Sequence, residues 1–254
     1  MQESIQVTTE DAVMCLRICR PERKNALNMA MYTLLADAIE QASSDPNVKV
    51  VCLLGSDGCF TAGNDLADFS ALEAFDANMP TLRFMRALAQ CPKPVVVAVA
   101  GVAVGIGTTL LLHCDLVYAA ANARFSMPFV NLGLCPEYAS SYLLPRLVGY
   151  VRAAEWLLLG EAFGAEEALK AGLINSIVDT PEQTALAQCL KLARQPPEAV
   201  RQAKKLLKAG IESPVEDAME AELQQFAKGL AGPEFKEAVS AFFAKRAPDY
   251  SRFS

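Results

Sequence analysis

Histidine and tryptophan occur once each in these 254 residues, at 113 and 156, and the eight cysteines never form a CxxC pair. They stand singly at 15, 19, 52, 59, 91, 114, 135 and 189, mostly among apolar neighbours. A zinc site and a secreted disulfide framework are therefore both poor readings, and reduced core thiols are expected. Cys15 and Cys19 share one face of an expected strand and read as packing. Positive charge is also scarce: 23 Lys and Arg against 29 Asp and Glu give a net charge of -6. That balance argues against nucleic acid as a partner, so any anionic ligand must be held locally. The opening "MQESIQVTTEDAV" has neither the basic flank nor the apolar run of a signal peptide, and a cytoplasmic location is expected. No repeat, GxGxxG turn or phosphate loop ending in GK[ST] is present, which leaves nucleotide cofactors without support.

One long uncharged run remains, Val95 to Leu112. Its length of about 18 residues is the lower limit for a membrane span. A span is rejected because "VVVAVA" is β-branched and Gly101, Gly105 and Gly107 interrupt the rest of the run; a buried strand entering a buried helix fits better. His113, directly after the run, is expected to be a hydrogen-bonded core residue rather than a base.

The first half alternates strand-like and helix-like segments. Strands are expected at 12–19, 48–55, 95–100 and 115–121, and helices at 29–43 (with Asn28 as N-cap), 79–90 and 105–113, an α/β rhythm. After a closing strand at 174–178, helices are expected at 181–194, 197–209, 214–229 and 233–246. "ARQPPEAV" (193–200) is the best boundary, dividing a core of 1–195 from a helical region of 196–254.

Two glycine-bearing turns come after strands: "FTAGNDL" (60–66) and "GVAVGIGTTL" (101–110). A strand that breaks at glycine and opens a helix aims free N–H groups at one point, and two such turns side by side would bind one oxyanion. Each alone reads better as an ordinary turn. From Ala77 to Ala154 the only acids are Asp115 and Glu137, the latter inside "LGLCPEYASS". A carboxylate in apolar surroundings beside paired N–H donors is what proton abstraction next to a carbonyl requires. Equally, "PE" suits the first turn of a helix, so spacing leaves both readings open.

"RPERKNALN" (20–28), "GCFTAGNDL" (58–66), the stretch from Lys93 to Glu137 and "AFFAKR" (241–246) together resemble the crotonase, or enoyl-CoA hydratase/isomerase, superfamily. The resemblance runs end to end. It implies an α/β fold, a crotonase-like ββα spiral core carrying the acyl-CoA site, with a C-terminal helical region for assembly into a homotrimer or dimer of trimers. It implies an acyl-CoA substrate, no separate cofactor, no metal and no membrane partner.

By motif, the oxyanion-binding N–H groups are those of Asn64 and Ile106, where side-chain identity matters little. CoA contacts are implied at Arg23, Lys24, Ala26, Ala62, Gly63, Asp65 and Leu66, and at Phe242 and Lys245 near the adenine end. Hydratases of the family carry two glutamates, and those positions here read Thr109 and Phe129, assigned instead to the acyl pocket. Glu137 resembles the catalytic glutamate of the Δ3,Δ2-enoyl-CoA isomerase branch. The implied activity is conversion of 3-enoyl-CoA to 2-trans-enoyl-CoA in fatty acid β-oxidation. Enoyl-CoA hydration or another crotonase-type reaction on an acyl-CoA, such as thioester hydrolysis, and a non-catalytic acyl-CoA-binding role are the alternatives. "LADFSALEAFDANMP" (66–80) is expected to line or cover the acyl site.

Overall fold

The computed structural model describes residues 4–70 and 79–253. In chain order the strands are β1 (Ile5–Glu10), β2 (Val13–Ile18), β3 (Val50–Leu54), β4 (Val95–Val99), β5 (Val102–Val104), β6 (Leu116–Ala119), β7 (Arg124–Ser126), β8 (Phe163–Gly164) and β9 (Ser176–Ile177). The helices are α1 (Met29–Ser44), α2 (Leu66–Ser70), α3 (Pro80–Gln90), α4 (Ile106–Thr109), α5 (Ser140–Val148), α6 (Tyr150–Leu159), α7 (Ala165–Lys170), α8 (Pro181–Ala193), α9 (Pro197–Lys208), α10 (Glu212–Ala231) and α11 (Pro233–Phe243). Six strands form one sheet in the order β1-β2-β3-β4-β6-β9, and β5-β7-β8 form a second. Among the described strands, only the β1–β2 and β7–β8 pairs are antiparallel.

Burial on both faces explains why β3 and β4 read as unbroken apolar runs. Successive side chains on a strand point to opposite faces. Thus Val51, Leu53, Val95 and Val97 enter the main core with Leu35 and Ile39 of α1 and Leu88 of α3, while Val50, Cys52, Leu54 and Val96 pack with Ala185 and Cys189 of α8. Asn28 caps α1 as expected, its Oδ1 accepting the Met31 N–H at 2.9 Å.

The uncharged run is β4, β5, α4 and a 3-10 turn at Leu110–His113. Among the described residues, no helix is long and apolar enough to cross a membrane, and no cluster of His, Cys, Asp or Glu has a metal-holding arrangement. Two differences from the sequence reading bear on the site. "GVAVG" is not only a turn: Val102–Val104 pairs with β7 as a strand. And α5 begins at Ser140, after left-handed Tyr138 and Ala139 (φ 60° and 55°), so Glu137 lies outside the helix. The helix-start explanation of that acid falls, because the backbone reverses between it and the first turn.

Candidate active site

The two glycine turns are stitched together by main-chain hydrogen bonds. The Thr61 N–H donates to the Val102 carbonyl at 3.0 Å, and the Val104 N–H donates back to the Thr61 carbonyl at 3.1 Å. Two residues on, Leu27 donates to the Gly63 carbonyl and accepts from the Asp65 N–H, both at 2.8 Å. This pairing turns the Asn64 N–H away from Leu27, as parallel pairing requires of the residue between two bonded neighbours. Ile106 is the first residue of α4, where an N–H has no intrahelical partner. Among the described residues, neither the Asn64 nor the Ile106 N–H has an acceptor.

Close approach demands glycine here. Gly63 has φ +83°, and a Cβ on it would lie 2.5 Å from the Val104 carbonyl oxygen; one on Gly107 would lie 2.6 Å from Thr61 Cγ2. Side chains at either position would wedge the turns apart. The side chain of Asn64 is not idle, contrary to the expectation for that position: its Oδ1 accepts the Tyr32 hydroxyl of α1. That bond braces the residue whose N–H faces the cavity.

A cavity of about 570 Å³ opens over these turns. Its lining includes Arg23, Lys24, Ala26, Ala62, Gly63, Asn64, Asp65, Leu66, Ile106, Phe129 and Phe242. Lys245, assigned to the same ligand, does not line it; this exposed residue comes after the end of α11 in left-handed backbone (φ 52°). Asp65 is not a free acid. Burial pushes its pKa up, but the Arg20 guanidinium at 2.7 Å, together with the Ala67 and Asp68 N–H groups, outweighs that and holds it below the usual range. Arg20 escaped the sequence reading although it opens the "RPERKNALN" motif. Leu66, Ala67 and Phe69 of α2 line the cavity; residues 71–78 of the segment assigned to the acyl site lie outside the described residues.

A second, much smaller cavity of about 20 Å³ adjoins it, and Asn64, Phe69 and Phe226 line both. Glu137 borders this one, with Leu82 and Met85 of α3 and Met219 of α10. Burial drives the Glu137 carboxyl from its usual 4.5 to about 8; a hydrogen bond from Thr109 opposes the rise and the neighbouring charge of Glu222 adds to it. Thr109 Oγ1 lies 2.5 Å from Glu137 Oε1. Thr109 is completely buried and lines neither cavity, so its assignment to the acyl pocket is corrected: it backs the carboxyl from behind. Phe129, by contrast, does line the larger cavity.

Two side chains from distant elements, His113 and Glu222, and one from the loop itself, Tyr138, hold the segment that carries Glu137. The Tyr138 ring stacks on His113 at 3.8 Å between centroids, and its hydroxyl donates to the Met85 carbonyl at 2.7 Å. His113 Nε2 bonds the Tyr138 carbonyl at 2.8 Å. Burial lowers the His113 pKa to about 3, so the ring is neutral and structural, in keeping with its expected core role. Glu222 of α10 completes the set by accepting from the Ala139 and Ser141 N–H groups. The sequence reading missed Glu222 and Tyr32, whose only signal is an acid or a phenol at an otherwise apolar helix position.

A buried carboxyl of raised pKa that borders a small cavity with Asn64, and two unclaimed N–H groups at Asn64 and Ile106 in the larger cavity adjoining it, suit enolate chemistry on a thioester. The family model described as enoyl-CoA hydratase/isomerase matches residues 8–252. The chain belongs to the enoyl-CoA hydratase/isomerase family. Its α/β architecture is the crotonase fold. The structure of OdaA from Pseudomonas aeruginosa superposes with a TM-score of 0.93 at 45% identity, covering 95% of this chain and 99% of that one. The 1,2-epoxyphenylacetyl-CoA isomerase of Escherichia coli is 38% identical over 99% of both chains. The 2,3-dehydroadipyl-CoA hydratase of the same organism is 34% identical over 96% of this chain and 97% of its own. Enoyl-CoA delta isomerase 2 of Rattus norvegicus is 33% identical over 96% of this chain, which spans 65% of that longer protein. Membership makes this an acyl-CoA hydratase/isomerase-type enzyme.

Proposed function

We propose that the enzyme isomerises 3-enoyl-CoA to 2-trans-enoyl-CoA, with Glu137 as the single acid/base. The observation that carries this reading is the Thr109–Glu137 pair: where hydratases of the family hold one of their two glutamates, a threonine donates to the carboxyl that, among the described residues lining the small cavity, is free to move a proton. Glu222 is also in the small cavity, but its oxygens are occupied by the Ala139 and Ser141 N–H groups and the Ser141 hydroxyl.

The steps balance without a co-reactant. The thioester carbonyl accepts from the Asn64 and Ile106 N–H groups. Ionised Glu137 takes a C2 proton, the electron pair moves into the enolate oxygen, and the C3–C4 double bond conjugates with it. Protonated Glu137 returns the proton to C4, and the double bond settles between C2 and C3. A pKa near 8 keeps both forms of the carboxyl accessible near neutral pH. Phe69 and Phe226 border the reacting end and limit competition by water. The 2-trans product is the form that β-oxidation hydrates. Exposed Leu206 and Leu207 on α9 suit the helices after 196 to contacts between copies of the chain in a trimer.

A second reading, isomerisation of an epoxidised aromatic acyl-CoA, is favoured by the identity to the 1,2-epoxyphenylacetyl-CoA isomerase. A panel of 3-enoyl, 2-enoyl and 1,2-epoxyphenylacetyl thioesters separates the readings. Appearance of the conjugated 2-enoyl thioester from 3-enoyl-CoA is expected to be the fastest conversion. High turnover of crotonyl-CoA to the hydrated product would overturn the proposal, as would tight binding of every thioester with no turnover.

A further inference from the structure

Helix α5 starts without a cap of its own. Its N-cap residue, Ala139, is left-handed and has no side chain able to accept a hydrogen bond, although local Ser, Asn or Asp side chains ordinarily do this work. The free N–H groups are nonetheless satisfied, by an acid from another part of the chain. Glu222, itself only 7% exposed, accepts the Ala139 N–H at 2.6 Å on one oxygen. Its other oxygen accepts the Ser141 N–H at 2.9 Å and the Ser141 hydroxyl at 2.5 Å. These residues belong to the left-handed turn that swings Glu137 out of the helix and to the helix start just after it.

We propose that Glu222 is a positioning residue for Glu137: the α10 carboxylate holds the turn that aims the base and sets a second negative charge beside it. The proposal rests on the role given above to Glu137. It ties the geometry of the base to the C-terminal helices, so that displacement of α10 would move the reacting carboxyl.

Other groups around Glu137 do not supply a competing charge. Tyr32 faces it from α1, and Cys135 and Tyr138 from its own loop; burial raises the pKa of all three and keeps them neutral. Cys114, next to Tyr138, is likewise raised by burial, and His113 is neutral. On α3, Arg83 pairs with Asp37 and Glu40, and Arg86 bonds Glu216 on α10; both are outside the small cavity. Burial raises the Glu222 pKa too, opposed by the bonds from Ser141 and Ala139 that favour its ionised form, and among the described residues it is the group whose charge acts on Glu137.

The test compares wild type, Glu222→Gln and Ser141→Ala. Titration of the Glu137 carboxyl is followed by NMR on protein labelled with 13C-glutamate, with the Glu137→Gln spectrum assigning the resonance. The pH profile of 3-enoyl-CoA isomerisation is recorded alongside. Glu222→Gln is expected to lower the Glu137 midpoint by about one pH unit, with the activity profile moving in step. It is also expected to reduce kcat roughly tenfold through loss of aim. Ser141→Ala removes a hydroxyl bond but keeps the charge, so its midpoint should match wild type. An unchanged midpoint in Glu222→Gln would overturn the proposal, and so would an equal shift in Ser141→Ala. If wild type fails to isomerise 3-enoyl-CoA, the assigned reaction is wrong, while the NMR midpoints still decide the role of Glu222.

Discussion

The two halves of the site are built in opposite ways. The oxyanion turns are made of main chain, with Gly63 and Gly107 packed too closely against Val104 and Thr61 for larger residues. The base loop is held by side chains: His113 from the 3-10 turn and Glu222 from α10 bond its main chain, and its own Tyr138 reaches the Met85 carbonyl of α3. A floor of backbone donors needs rigidity and tolerates no added atoms. A base needs a tuned environment, and that environment must be assembled from parts that are far apart in sequence.

This contrast decides what each substitution should do. The largest effect is expected from Glu137→Gln, which keeps the shape and removes the base: kcat should fall about 10²- to 10⁴-fold, the span general bases contribute. Steady-state assay of 3-enoyl-CoA isomerisation checks this. Next comes the floor. Gly63→Ala puts a methyl against the Val104 carbonyl and should cost about 10²- to 10³-fold in kcat by displacing the Asn64 donor. The variant should also unfold at lower temperature, whereas Glu137→Gln should not.

Indeed Glu137→Gln should stabilise the protein in one pH window. The wild-type carboxyl has a folded pKa of about 8 against an ordinary 4.5, so the folded state holds a proton that the unfolded state releases. Wild-type stability from this group is complete below 4.5 and declines as pH rises through 8. The glutamine variant has no such loss, so its stability advantage should grow across that window, to at most about 5 kcal/mol. Urea unfolding at both ends of the window measures it. The smallest effect belongs to Thr109→Val. Losing the donor that lowers the Glu137 pKa should move the rising limb of the kcat/KM profile upward by about half a unit, roughly threefold less activity at neutral pH.

Legibility divided along the same line. The glycine turns could be read because steric need writes directly into sequence: Gly63 and Gly107 are where a Cβ has no room. The helical C-terminal segments could be read from their apolar spacing, and their bounds agree closely at Pro181–Ala193 and Pro197–Lys208. The short strand Val102–Val104 was lost in its flanking glycines, since its identity comes from pairing with β7. For Glu137, helix-start chemistry and catalytic chemistry call for the same residue types, and the left-handed turn at Tyr138 and Ala139 leaves no glycine to reveal it. Glu222 was invisible for a related reason. An acid on an amphipathic helix reads as solvated until the fold brings it to the N–H groups of Ala139 and Ser141.

The central claim is that one shielded carboxyl carries the proton both ways. Single-turnover conversion of C2-dideuterated 3-enoyl-CoA in ordinary water tests it most directly, with deuterium located in the product by NMR. Because Glu137 and Thr109 are buried and the cavity beside them is small, part of the deuterium lost from C2 is expected to reappear at C4. A product whose C4 has gained hydrogen from solvent alone would contradict the claim.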